Sequence, residues 1–364
     1  MLHRSRVLPA LLAVAFLASC GGSSDSAAPT TTMAPAPATT EAPATTVPAT
    51  TEAPAATTTA EATTTTIAAD PVMPLTGMPI TDPLLAARPA LVVKIDNHPQ
   101  ARPQFGLNAA DIVFEENVEH LTRFAAVFQS QDAARVGPIR SGRTQDVLLL
   151  GSFNSPLFGW SGGNANVTRT INDSDLVSLN PTTTGGKGGF FRDKRGNEDS
   201  EHTLYSTTPA FYSFTRLYAP APQQQFQYRA DGEAFNASPA TGVDLDMDGV
   251  RVKWMWDAGS ASYLRFQGGK PHNDAENGQV NAANVVVLEV DYQPSPADAR
   301  SPEAQTIGTG VVTVFTGGVM ITGTWTRADR LVPFTLTDAT GAPIKLTPGR
   351  TWVELARQGK STPL

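Results

Sequence analysis

The chain has 364 residues, 27 basic and 34 acidic, a formal net charge of −7 and a single cysteine. An acidic balance without a basic cluster argues against nucleic-acid binding and against electrostatic docking on anionic lipid. One thiol leaves no internal disulfide and no thiolate metal centre.

Arg4 and Arg6 open the chain and Val7 to Leu17 form an apolar centre, the pattern of a signal peptide over residues 1–19. The centre is too short to span a bilayer, which takes about 20 apolar residues. Leu17, Ala18, Ser19 and Cys20 then resemble the lipobox of bacterial lipoproteins. That resemblance implies diacylation of Cys20 and cleavage before it, so the expected anchor is lipid on the extracytoplasmic face of the cell membrane. Loss of residues 1–19 removes Arg4 and Arg6 and leaves 25 basic against 34 acidic residues, a net of −9. Residues 20–69 collapse to Thr, Ala, Pro, Ser and Glu, too few large apolar side chains to offset the entropy of ordering. This reads as a disordered tether, roughly 40 Å long as a coil and up to about 150 Å when extended.

The rest is long enough for two modest cores. A seam falls near "YAPAPQQQFQ", where Pro220, Pro222 and three glutamines interrupt the pattern, giving domains over 70–222 and 223–364. In the first, "ALVVKIDN", "ADIVFEENVE" and "TRFAAVFQS" read as strands, "SGRTQDVLLLGSF" as a helix and "SPLFGWSGG" as a strand with a glycine turn. Two helical patterns follow around the polar loop "GGKGGFFRDKRGNEDSEH". The second starts with Thr208 as N-cap and Pro209 at the first helical position. The second domain is mostly strands, with Gly317 and Gly318 as a hairpin turn. The fold class is α+β, the first domain mixed α/β with the helices, the second mainly antiparallel β.

Four stretches invite a chemical reading. "GWSGG" places Ser161 in a G-x-S-x-G with Asp173, Asp175, His202 and His272 downstream, yet Gly-Ser clusters are common turn punctuation and no spacing fixes the acid and base. "DLDMDG" opens like a calcium loop at Asp244, Asp246 and Asp248, the metal candidates, but Met255 stands where the bidentate carboxylate belongs, and Asp248-Gly249 suits a strand turn. "TTTGGKGG" around Lys187 lacks the hydroxyl residue of a phosphate loop and reads as a mobile surface loop. The fourth is a dispersed set: Asp96, Asn97, His98 and Arg102, then Glu115, Glu119 and Arg123, then Arg140 and Arg143. Charges on apolar strands must reach solvent, each other or a ligand. The two later arginines either grip a carboxylate or phosphate by forked bonds, or pair with Glu115 and Glu119 and staple the domain. Glu115, Glu119 and His98 are the catalytic candidates. The scattered histidines lack metal-ligand spacing, and no cofactor is expected.

"RPALVVKIDNHPQARPQFGLNAADIVFEENVE", "LTRFAAVFQS", "VGPIRSGR", "YLRFQGGKPHND", "NVVVLEV" and "GTWTR…LTPGRTW" together resemble the DUF3048 family of YerB-like lipoproteins, from about Pro74 to Ala356. The resemblance implies two family domains and an envelope lipoprotein, and passes on no catalytic residue. Positions matching its motifs are Asp96, Asn97, His98, Arg102, Pro103, Glu115, Glu119, Thr122, Arg123, Gly137, Pro138, Arg140, Ser141 and Arg143. In the second domain they are Arg265, His272, Asp274, Asn284, Trp325 and Arg327. Two departures stand out. His120 replaces a usual glycine, which puts a shared tight turn in doubt, and the family's "GGS" appears as Gly162, Gly163 and Asn164.

The expectation is therefore a tethered module that binds a cell-wall component or a wall-synthesis partner. Its ligand set is Asp96, His98, Arg102, Glu119, Arg123, Arg140, Arg143, His272 and Asp274. The competing expectation is an envelope hydrolase or transferase, with Glu115 or Glu119 as acid or base and Arg140 and Arg143 clamping an anionic substrate.

Overall fold

The computed structural model describes residues 71–364. The signal peptide, Cys20 and the tether expected over residues 1–69 lie outside the described residues.

The first apolar stretches form β1 (Leu91–Asp96), β2 (Ile112–Val118) and β3 (Leu121–Phe128), with short parallel additions β4 (Leu157–Gly159) and β5 (Val177–Leu179). These strands read as near-continuous hydrophobic runs because both faces are covered. Leu91, Val93 and Ile95 enter one apolar layer, and Val92 enters the other with Phe114, Ala125 and Val127. Among the described residues four α-helices accompany them: α1 (Pro83–Ala87), α2 (Thr144–Leu150), α3 (Ala165–Asn172) and α4 (Thr208–Tyr212). The start of α4 corrects the sequence reading by one residue. Thr207 is the N-cap, accepting from the Ala210 N–H at 3.1 Å, because the Thr208 hydroxyl is already used by the Ala133 N–H at 2.8 Å.

The second half supplies β6 (Gly242–Met247), β7 (Val250–Asp257), β8 (Ser262–Gln267), β9 (Asn284–Val290), β10 (Gly308–Thr316), β11 (Val319–Arg327), β12 (Thr335–Asp338), β13 (Thr351–Arg357) and β14 (Ser361–Pro363). Neighbouring pairs are mainly antiparallel. Asp248 and Gly249 turn β6 into β7 at φ 52° and 93°, and Gly317 and Gly318 turn β10 into β11 at φ 62° and 80°. Left-handed backbone at both central residues is what a two-residue hairpin demands.

Strands of both halves hydrogen-bond into one sheet, in the order β12-β11-β10-β9-β13-β2-β3-β1-β4-β5. The join is β13, which runs parallel to β9 on one side and to β2 on the other, pairing Ile112 with Thr351 and Glu115 with Glu354. A second sheet, holding β8-β7-β6-β14, presents Val243, Leu245, Val252, Trp254 and Tyr263 to the layer that contains Ile95, Val113, Phe124 and Trp352. The opposite face of the long sheet carries Leu149 and Leu150 of α2 together with Val167 and Ile171 of α3. The interrupted segment after Tyr218 crosses between halves through Gln225, whose amide bonds Ser152.

Candidate functional site

The ends of β1 and β3 and the segment before α2 bring most of the expected polar set into one strip. Asp96 and Arg123 are register partners. The Asp96 carboxylate accepts from the His98 backbone N–H at 2.9 Å, bonds His202 Nδ1 at 2.6 Å and lies 3.4 Å from Arg140 Nε. Arg140 also reaches Glu201 at 2.9 Å. His98 stacks on His202 with ring centroids 4.1 Å apart and planes within 6°. Burial, helped by His202 and countered by Asp96, lowers the His98 pKa. At the other end, Arg143 donates from one nitrogen to both oxygens of Glu119, at 3.0 and 2.7 Å. Burial alone would raise the Glu119 carboxyl, but the hydrogen bonds and the charge of Arg143 together with smaller hydrogen-bond contributions hold the group below its ordinary value.

Two cations in this strip form no ion pair with an acid among the described residues. Arg123 is 7% exposed and, among the described residues, donates only to the Ser141 carbonyl, at 2.9 Å. Burial, with Arg143 adding repulsion, pushes it down to about 10. Arg102 is half-buried, its Nε has no hydrogen-bond partner among the described residues, and burial together with Arg265 lowers its pKa. A guanidinium taken out of water without a partner is costly, and a planar fork of donors is the group best matched to a carboxylate or phosphate. The strip therefore has the donors and the charge to take an anion.

Glu115, Arg265 and His272 belong instead to the interior between the two sheets. Glu115 is fully buried, accepting from Thr122 at 2.7 Å and from Arg265 at 2.6 Å. Arg265 is packed among Phe124, Trp352 and Trp254, with ring centroids 5.4, 5.1 and 6.0 Å away. It also bonds Gln267 and His272. Burial and Arg265 hold the His272 pKa well below its usual range. The ring is thus neutral, accepting at Nδ1 and donating from Nε2 to Gln104 at 2.8 Å. Asp274 closes a turn, accepting from the backbone of Asn108, Glu276 and Asn277.

The remaining motifs go separate ways. Asp244 pairs with Lys253 at 3.2 Å, Asp246 accepts from the Gly249 N–H, and Asp248 takes a two-point bond from Arg357. Ser161 follows β4, but His202 is committed to Asp96 and His272 to Arg265, so neither serves it as a base. Lys187 is exposed. Asn164, in place of the family's serine, caps α3 by accepting from the Val167 N–H at 2.9 Å. His120 holds φ 55°, so the turn between β2 and β3 keeps a glycine-like backbone.

Several buried polar contacts escaped the sequence reading. His202, weighed there only as a base for Ser161, completes the Asp96 contact from a loop more than a hundred positions away. Lys94, Glu116 and Asp146 form a buried triad, and Glu354 stands beside Glu115. For Lys94 a signal existed, a lysine inside the run "LVVKID", which a strand buried on both faces can hold only with a partner.

The comparisons with known proteins fit this architecture. Residues 75–226 match the family model described as "Protein of unknown function (DUF3048) N-terminal domain", and residues 243–353 match its C-terminal counterpart. The chain belongs to the DUF3048 family. A curated family relative, "Putative lipoprotein YerB" of Bacillus subtilis (strain 168), is 30% identical over 292 residues, covering 78% of this chain and 85% of its own. The crystal structure of YerB from Bacillus subtilis shares the fold at a TM-score of 0.68 and 24% identity, covering 81% of this chain and all of that one. The positions matched to DUF3048 motifs sort by surroundings. Arg102, Arg123, Arg140 and Arg143 line the strip. Asn284 ties Thr316, Thr347 and Thr351 together, and Arg327 gathers the carbonyls of Leu149, Arg330 and Val332.

Proposed function

We propose that this protein is a lipid-anchored lipoprotein on the extracytoplasmic face of the cell membrane, and that its folded part binds an anionic cell-wall component at the Arg102–Arg123–Arg140 strip. The observation that carries the binding reading is Arg123: buried, charged, and bonded among the described residues to a single backbone carbonyl. A staple would spend its guanidinium on a carboxylate, as Arg143 does on Glu119. The Glu115 side chain, locked between Thr122 and Arg265, favours binding over acid-base turnover at that residue. The anchoring reading is supported by the sequence around Cys20 and by the lipoprotein name of the Bacillus relative.

Retention of the protein on wall fragments bearing phosphate or carboxylate groups tests the site. Wild type is retained and is released by salt, while Arg102→Met and Arg123→Met are not retained. Equal retention of all three overturns the site, and cleavage of the fragments by wild type overturns a purely binding role. A membrane fraction that keeps Cys20→Ala as firmly as wild type overturns the anchor.

A further inference from the structure

Beneath the strip lies a cluster that the binding reading does not use. Lys94 leaves the middle of β1 on the face covered by α2, and its register partner on β3 is Ala125, whose methyl leaves room above the sheet. Nζ stands 2.5 Å from Glu116 Oε2 on β2 and 2.7 Å from Asp146 Oδ1 in the first turn of α2. All three side chains are 0% exposed. The Gln145 amide donates to Glu116 Oε2, the Arg143 backbone N–H donates to Asp146 Oδ2 at 2.6 Å, and Glu116 Oε1 has no partner among the described residues. One ammonium between two carboxyl groups is a poor way to fill a dry interior, because the site must keep either an uncompensated negative charge or an extra proton on one of the acids. The same three groups are the complete equipment for making an amide: an amine, a carboxyl carbon held beside it, and a second carboxyl able to move protons between them.

We propose that Lys94 and Asp146 become joined by an amide bond inside the folded protein, with Glu116 carrying the protons. The Lys94 ammonium gives a proton to Glu116, and the freed nitrogen lone pair attacks Asp146 Cγ. Negative charge builds on Oδ2, where the Arg143 N–H already points. Glu116 passes its proton to Oδ1, takes the second proton from the attacking nitrogen and returns it to the same oxygen, which leaves as water. One ammonium and one carboxylate are consumed, one amide and one water are formed, and Glu116 ends as it began. Oδ2 remains as the amide oxygen and keeps its bond from Arg143. Burial holds the Glu116 carboxyl at about 7, with the charge of Lys94 opposing, so the group gives and takes protons readily near neutrality. Confinement in a packed site supplies the high effective concentration that amide formation needs. The link would tie β1 to α2 across 52 positions in a chain whose single cysteine cannot form an internal disulfide.

Peptide mapping by mass spectrometry of the full chain, purified from membranes and denatured, tests this directly. The expected result is one linked species joining the Lys94 and Asp146 peptides, lighter by one water than their sum. Glu116→Gln should yield the two peptides separately. Asp146→Asn should yield the same linked species, formed with loss of ammonia. Separate, unmodified peptides from the wild type overturn the proposal whatever the variants do. A wild-type yield of linked species in Glu116→Gln overturns the role given to that carboxyl.

Discussion

Glu115 on β2 and Glu354 on β13 stand opposite each other in the parallel register that joins the two halves of the chain. Both are fully buried; Arg265 donates to Glu115, and its charge also reaches Glu354. Burial, reinforced by the Glu115 charge, holds the Glu354 carboxyl well above its ordinary value of 4.5, so one proton stays at the join. The neutral acid accepts from the Trp254 indole N–H at 2.7 Å.

That proton gives stability a pH dependence of definite sign. Above pH 4.5 an unfolded chain ionises Glu354 while the folded chain keeps it protonated, so the folded state binds the extra proton and this site's contribution to stability falls as pH rises. Glu354→Gln should remove that part of the slope and be more stable than wild type at pH 8, in urea titrations run across the range. An unchanged slope would show that Glu354 is ionised in the folded protein.

Glu115→Gln should behave in the opposite way. It strands Arg265 among three aromatic rings, and loss of one partner from a buried pair costs about 3 to 5 kcal/mol. The denaturation midpoint at pH 7 reads the difference. A change under about 1 kcal/mol would mean that Arg265 finds another anion.

Arg123→Met should separate function from stability. The unpaired guanidinium is replaced by an apolar chain of similar length, so the folded state is expected to be as stable as wild type or more so, while retention on anionic wall fragments falls at least about tenfold, the worth of roughly 1.4 kcal/mol. Residues kept at a cost to stability are characteristic of binding sites. Destabilisation on removing Arg123 would instead assign it a structural partner.

Gly77→Ala tests packing at the start of the folded part. Gly77 has φ +65°, and a Cβ there would fall 2.2 Å from the Tyr228 ring, whose hydroxyl is anchored to the Leu75 carbonyl. Overpacking of about 1 to 3 kcal/mol, with the left-handed backbone adding to it, is expected as a lower thermal midpoint.

A chain ending at Arg350 should lose cooperative unfolding altogether, because it lacks β13 and so leaves both β2 and β9 with an open edge in the middle of the sheet. Hydrogen exchange would show protection lost in β2 as well as in β9. Protection retained in β2 would mean that the first half folds without its C-terminal neighbour.

Much of this was legible along the chain. The runs around Leu91, Ile112 and Leu121 announce strands because apolar side chains recur locally, and Asp248-Gly249 and Gly317-Gly318 announce hairpins because few residues tolerate left-handed backbone. The grouping of Asp96, His98, Arg123, Arg140 and Arg143 was also readable, since charges on buried strands must meet something. What each charge meets was not. The staple expected of Arg140 and Arg143 with Glu115 and Glu119 forms in part: Arg143 takes Glu119, whereas Glu115 turns to Arg265, because Glu115 shares its face of the sheet with the layer meeting β7 and β8. Residue order determined the strands, the turns and the supply of charges. The path of β13 between β9 and β2 decided that Glu115 is sealed inside beside Glu354, because pairing across a sheet depends on register between segments far apart in the chain and leaves no periodic trace in either.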